Sequence, residues 1–155
     1  MDKMKRFIDC YVPVTTCNLR CPYCYITQRH LWSNELPKFI YGPDVIAKAL
    51  SKERLGGVCL LNLCGGGETL LPREMTNLIY SLLAEGHYVW VVTNGTVTQR
   101  INELMEFPPE YLSRLGFKFS LHYLELLRTN KLELFFQNIS RVRGKCSFSV
   151  ELTTS

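Results

Sequence analysis

No stretch of this 155-residue chain approaches the ~20 apolar residues that a membrane-crossing helix needs, so no helical span is expected. No internal repeat and no low-complexity segment interrupts it. Charge of one sign is nowhere concentrated. The net charge of +4 comes from dispersed basic residues, which permits an anionic partner but does not indicate a nucleic-acid binder. An export signal is lacking too. The start, Met1-Asp2-Lys3-Met4-Lys5-Arg6, is basic, but the apolar stretch after it is too short and too polar. What remains is a chain that is 46% hydrophobic and 21% charged, suited to one domain with a buried core and not to disorder.

Cysteine, by contrast, is abundant. There are seven, an odd number, and three fall within eight positions. Without an export signal a disulfide framework is disfavoured. Metal ligation in a reducing cytoplasm is the better reading.

Strand-length apolar runs alternate with stretches of helical period. Phe7 to Val14 reads as the first strand, and residues 17–42 as a long loop rich in Cys, Pro, Asn and aromatics. Asp44 is expected to cap a helix whose buried face is Val45, Ile46, Ala49 and Leu50, ended by Gly56-Gly57. The run Val58 to Leu63 predicts a strand buried on both faces. Met75, Leu78, Ile79, Leu82 and Leu83 mark a second helix, with Pro72 near its start and Gly86 after it. Tyr88 to Thr93 is the third strand. Ile101, Leu104 and Met105 suggest a short helix broken by Pro108-Pro109, followed by a turn of helix through Tyr111, Leu112 and Leu115. Phe117 to Leu121 is the fourth strand. Leu132, Phe135, Phe136 and Ile139 share a helical face, and Ser147 to Leu152 is the fifth strand. This alternation predicts an α/β fold with a parallel sheet and right-handed crossovers. A complete eight-stranded barrel takes ~250 residues, so a partial barrel is expected: about four βα units and a fifth strand. The ending at Thr153-Thr154-Ser155, with no helix over the last strand, reads as a C-terminal truncation.

The first strand leads directly into Cys17-Asn18-Leu19-Arg20-Cys21-Pro22-Tyr23-Cys24. Three thiolates this close can wrap one face of a compact metal centre, and soft ligands suit iron–sulfur or zinc. A ferredoxin-type cluster takes four cysteines. Three would leave one metal position open, which distinguishes a catalytic centre from a closed structural one. A zinc site completed by His30 or Cys10 stays open at this point. The loop, continued through Tyr25, resembles the signature of the radical S-adenosylmethionine superfamily. That resemblance implies that Cys17, Cys21 and Cys24 hold a [4Fe–4S] cluster whose remaining iron is chelated by S-adenosylmethionine. It also implies that Tyr23 lies near the cofactor's adenine, and that reductive cleavage gives a 5′-deoxyadenosyl radical.

The second strand ends in Cys64-Gly65-Gly66-Gly67-Glu68-Thr69. Glycines let a backbone approach a ligand, and a carboxylate after them can accept from an ammonium group. The segment resembles the family's Gly-Gly-Glu motif, which implies that Gly66, Gly67 and Glu68 hold the cofactor's amino group. Thr69 stands where the family often has proline. Asn94, in Thr93-Asn94-Gly95-Thr96, resembles a cleft-lining position and is equally a simple turn. Ser120 and His122, at the end of the fourth strand, correspond to positions that contact the cofactor's ribose. A buried structural histidine is an equal alternative. Glu151, inside an apolar run, is expected to face a polar cavity. Cys10, Cys59, Cys64 and Cys146 read as small buried hydrophobes. Trp32, Tyr25 and Phe39 either cover the cysteine loop or belong to the core.

The resemblance implies a cytoplasmic radical enzyme that removes hydrogen from an unidentified small-molecule or peptide substrate and is fed electrons by a donor such as flavodoxin or ferredoxin. The alternative is a non-catalytic module stabilised by zinc or iron–sulfur, or an inactive fragment. No residue is singled out as catalytic.

Overall fold

Five runs of β-branched, aromatic and aliphatic residues form five parallel strands in the computed structural model, which describes residues 3–153. They are β1 (Arg6–Val12), β2 (Cys59–Gly65), β3 (Tyr88–Thr93), β4 (Leu115–Leu121) and β5 (Ser147–Leu152). Met1, Asp2, Thr154 and Ser155, at the two ends considered above, lie outside the described residues. The spatial order is β1-β2-β3-β4-β5. Consecutive order is the barrel arrangement; a doubly wound sheet would reverse direction at a switch point.

The helices are α1 (Tyr25–Gln28), α2 (Pro43–Ala49), α3 (Lys52–Leu55), α4 (Glu74–Ala84), α5 (Thr98–Met105), α6 (Pro109–Leu112), α7 (Tyr123–Arg128) and α8 (Leu132–Val142). The stripe expected on α4 is found, with all five of its residues buried. Helix α2 departs from expectation. Gly42, not Asp44, occupies its N-cap, because Pro43 suits the first helical position and Asp44 complements the dipole one residue on. Its buried residue is Ala47, while Val45 and Ala49 are exposed. The chain pauses at Leu50, and the Ser51 side chain accepts from the Arg54 N–H to start α3. Gly56, at φ 81°, ends it.

Strand β4 begins at Leu115, two residues earlier than expected, so neither Leu115 nor Gly116 belongs to a helix. Gly116 is a packing glycine. A Cβ there would lie 2.5 Å from Cε2 of Trp90, whose ring occupies that space. Helix α7 was not foreseen. It has no apolar stripe, since Leu124 and Leu127 are exposed and only Glu125 and Leu126 are buried. On α8, Phe135 is wholly buried but Phe136 is 50% exposed, so the buried stripe is narrower than the one on α4.

The sheet has two unlike faces. Cys59, Leu61, Leu63, Val89, Val91, Phe117 and Phe119 are sealed under the helices. The alternate residues, including Leu60, Cys64, Trp90 and Lys118, are only half-buried and line the concave side. Strand β2 is therefore closed on one face, not both. Glu151 is exposed and needs no polar cavity, since β5 is an edge strand. Among the described residues, no helix is long and apolar enough to cross a membrane.

Phe117 stacks on Phe119 with centroids 5.4 Å apart. Phe117→Ala is expected to cost about 3–5 kcal/mol. Phe136→Ala should stay within about 0.5 kcal/mol. Urea denaturation followed by circular dichroism checks both.

Candidate functional site

The parallel pairing of β1 with β2 continues beyond the strands into two loops. The Gly67 N–H donates to the Val14 carbonyl at 2.7 Å, and the Glu68 N–H to the Thr16 carbonyl at 2.9 Å. This approach leaves no room for side chains. A Cβ at Gly67 would lie 2.1 Å from the Thr16 oxygen, and one at Gly65 2.3 Å from a Val14 methyl. These two glycines thus answer to the neighbouring chain, a reason that the sequence alone did not show. Gly66 is less confined. Its missing side chain faces the hydroxyls of Tyr11 and Tyr25 at 3.1 and 3.2 Å.

The cysteine loop is held at further points. Leu19 and Cys21 are buried in the core. The Asn18 amide donates to Thr96 Oγ1 at 2.7 Å and its Oδ1 accepts from Asn94 Nδ2 at 2.9 Å. The Arg20 N–H donates to Glu125 Oε1 at 3.1 Å, and Arg128 grips the same carboxylate at 2.6 Å. These contacts hold Glu125 below the usual carboxylate range, the Arg128 hydrogen bond being the largest cause. Glu125, Asn18 and Arg20 were not picked out from the sequence. The available signal was a carboxylate at the third position of an unforeseen helix, three residues after His122.

A cavity of about 200 Å³ opens where the loops meet. Cys17, Cys21 and Cys24 line it on one side; Gly66, Gly67, Glu68, Asn94, Ser120 and His122 line the others. The strands' C-terminal ends supply the second group, as in parallel barrels. Tyr23 does not line the cavity. Its hydroxyl lies 2.7 Å from His122 Nδ1, and the two rings stack at 5.7 Å. His122 therefore has a structural partner and also faces the cavity. Burial keeps its pKa below the usual histidine value. Trp32 borders the cavity, with the Arg20 guanidinium 4.6 Å over its ring. Tyr25 is exposed, and Phe39 lines a different, apolar pocket, so neither covers the cavity as Trp32 does.

Glu68 is 2% exposed and held by three donors of the chain: it accepts from Thr93 Oγ1 at 2.5 Å, the Asn94 N–H at 2.8 Å and the Leu70 N–H at 3.1 Å. Burial raises its pKa, and the three donors oppose that rise. A carboxylate has about four acceptor positions, so one stays available to a ligand. Asn94 both shapes a turn, its Oδ1 accepting from the Thr96 N–H at 3.1 Å, and faces the cavity.

Burial pushes the Cys17 thiol up to about 11 and raises that of Cys21. Thiolates are soft donors and suit iron–sulfur or zinc. Among the described residues no three His, Cys, Asp or Glu side chains are gathered to hold one ion. The fourth zinc ligands considered above are not brought in: His30 is exposed, and Cys10 points into the apolar pocket under α2 and α4. Cys59 is buried as expected, but Cys10, Cys64 and Cys146 are only half-buried.

The profile of the Radical SAM superfamily matches residues 11–147. The chain belongs to this superfamily. Membership implies an iron–sulfur cluster and S-adenosylmethionine. The 7-carboxy-7-deazaguanine synthase of Rhodospirillum rubrum is 34% identical over 88 residues, 56% of this chain and 34% of that protein. Two solved structures share the fold. Streptococcus suis SuiB bound to S-adenosylmethionine superposes with a TM-score of 0.63 at 16% identity, over 97% of this chain and 35% of that one. SuiB bound to the precursor peptide SuiA gives 0.63 at 16% identity, over 97% and 34%. The chain thus spans about a third of the length of these radical SAM relatives.

Gly67→Ala is expected to cost about 1–3 kcal/mol or more by forcing the two loops apart, with Gly66→Ala costing less; thermal melts compare them. For Glu125 the folded pKa is depressed. Its stabilisation is complete above the ordinary carboxylate range and lost as pH falls through the folded value. Glu125→Gln keeps an oxygen for the Arg20 N–H and loses the charge that the exposed Arg128 meets, so it should lower stability only modestly at neutral pH. The gap between the two proteins should close in acid titrations as pH falls through the depressed folded-state range of Glu125.

Proposed function

We propose that this chain binds a [4Fe–4S] cluster through Cys17, Cys21 and Cys24 and works in a radical enzyme that cleaves S-adenosylmethionine reductively. The observation that carries the reading is the shared cavity: three thiols of one loop face residues from the ends of β2, β3 and β4. When bound, cluster and cofactor supply the electron and the 5′-deoxyadenosyl radical that takes hydrogen from a substrate. The protein's part is position and electrostatics. Glu68, fixed by Thr93, Asn94 and Leu70, offers its remaining acceptor position to an ammonium group. Gly66 and Gly67 keep the backbone close, and Asn94, Ser120 and His122 contact the cofactor's polar atoms. Tyr23 acts through His122, holding that ring against the wall. Trp32 and Arg20 screen the thiols from water.

An electron donor such as flavodoxin or ferredoxin, and a cytoplasm that keeps the thiols reduced, complete the reading. For the substrate, SuiB points to a peptide, whereas the deazaguanine synthase points to a small heterocycle. The competing reading is a non-catalytic metal-stabilised module.

Anaerobic reconstitution tests this. About four irons and four sulfides per chain are expected, with 5′-deoxyadenosine formed on reduction. Cys17→Ala, Cys21→Ala or Cys24→Ala should abolish iron retention. Glu68→Gln should keep the iron and weaken cofactor binding by about tenfold or more. Zinc without sulfide, or a loaded cluster that yields no 5′-deoxyadenosine, would overturn the reading.

A further inference from the structure

A second cavity opens on the helical side of the sheet, away from the thiols of the cysteine loop. It lies between β1, α2, α4 and residues 38–41 and measures about 340 Å³. Its floor is core. Leu63, Leu78 and Leu82 line it although they are only 2%, 6% and 1% exposed. Cys10 and Leu63, paired neighbours on β1 and β2, form the sheet wall.

Three observations make this more than a packing gap. The first is size. Interiors leave few voids larger than a water molecule, and an apolar cavity of about 150 Å³ already takes up benzene. The second is that water suits it poorly. A buried water needs about two to four polar partners, and the floor offers only leucine side chains. The third is the mouth. Ile40 and Tyr41 line the cavity yet are 90% and 64% exposed, so an apolar occupant would also take these two side chains out of water. Lys38, itself exposed, is the one charged residue of the lining, and among the described residues it forms no ion pair. Ligand sites are mostly apolar clefts with a few polar groups that fix orientation. Here the walls call for a hydrocarbon body, and the single cation at the mouth calls for one anionic group.

We propose that this cavity binds a medium-chain carboxylate, its tail against Leu63, Leu78 and Leu82 and its head at Lys38. The site is separate from the cofactor cavity and does not rest on the cluster reading. Val12 and Pro13 belong to its wall and lead directly to Val14, whose carbonyl accepts from the Gly67 N–H. An occupant therefore braces the strand end from which the cysteine loop departs.

The probes are butanoate, hexanoate and octanoate, with octanol as the uncharged control, titrated calorimetrically into the whole chain at neutral pH. Affinity should rise by up to about fourfold for each added methylene. Octanoate should bind about threefold more tightly than octanol, as a solvent-exposed charge pair allows. Lys38→Met should remove that difference and leave octanol binding unchanged. Octanoate should also slow alkylation of Cys10 by iodoacetamide, read by peptide mass spectrometry, and leave Cys146 at the far edge of the sheet unaffected. Affinity that ignores chain length, no octanoate binding at about 10 mM, a preference for octanoate that survives Lys38→Met, or equal protection of Cys146 overturns the proposal. A chain that sediments as a dimer and takes up no octanoate would assign the cavity to a second copy and overturn it as well.

Discussion

The candidate site depends on one close approach. Past the ends of β1 and β2, two loops run side by side, joined by the hydrogen bonds from Gly67 to Val14 and from Glu68 to Thr16. The strand pairing extends itself here without strand geometry. It is possible only because two of the three consecutive glycines carry no Cβ where the other chain passes. The cysteine loop has little regular structure of its own, only the four-residue α1 at its end. Without this seam its thiols would have no fixed relation to the ends of the later strands.

Glu68 turns that seam into a joint. Its backbone belongs to the seam, while its side chain reaches sideways to the start of the β3 turn, binding Thr93 and the Asn94 N–H. Asn94 then reaches back to Asn18 of the cysteine loop. The chain closes a ring of polar contacts: cysteine loop, glycine loop, β3 turn, cysteine loop. A buried carboxylate is tolerable because three donors satisfy it. Loss of one member leaves the others buried and unpaired, which makes the ring stiffer than the sum of its bonds. Rigidity of this kind is what a site needs if it is to hold a reactive centre at a fixed distance from a substrate.

The strands were legible because their apolar runs are short and separated by glycine and proline, and α4 because its stripe follows a period of 3.6 without interruption. Helix α7 was not, because only Leu126 and a carboxylate face inward. Leu115 follows Tyr111 and Leu112 at helical spacing but opens β4, and Gly116 beside it makes room for an indole from the neighbouring strand. Contacts of that kind join residues 26 positions apart and leave no local mark. The cysteine spacing and the Gly-Gly-Glu segment were readable because their chemistry is local. What they grip was not: Glu125 holds the Arg20 backbone from 105 positions away. Glu151 was assigned a cavity on the assumption that its strand is covered, and an edge strand removes that assumption.

Buried polar groups are not equally well satisfied in this molecule. Among the described residues two buried side-chain atoms lack partners, Arg100 Nε and Asn62 Oδ1. They are not equivalent. Arg100 has five donors, and its Nη1 already binds Glu103, so one idle N–H is a surplus on a group whose charge is matched. Asn62 has a single acceptor atom, and that is the one left idle, beside a carboxylate that supplies acceptors but no donor. Nothing in that immediate pair can satisfy it. Under the helices such a defect would be a plain loss of stability. On the concave side it is a buried acceptor that its neighbours leave unmatched.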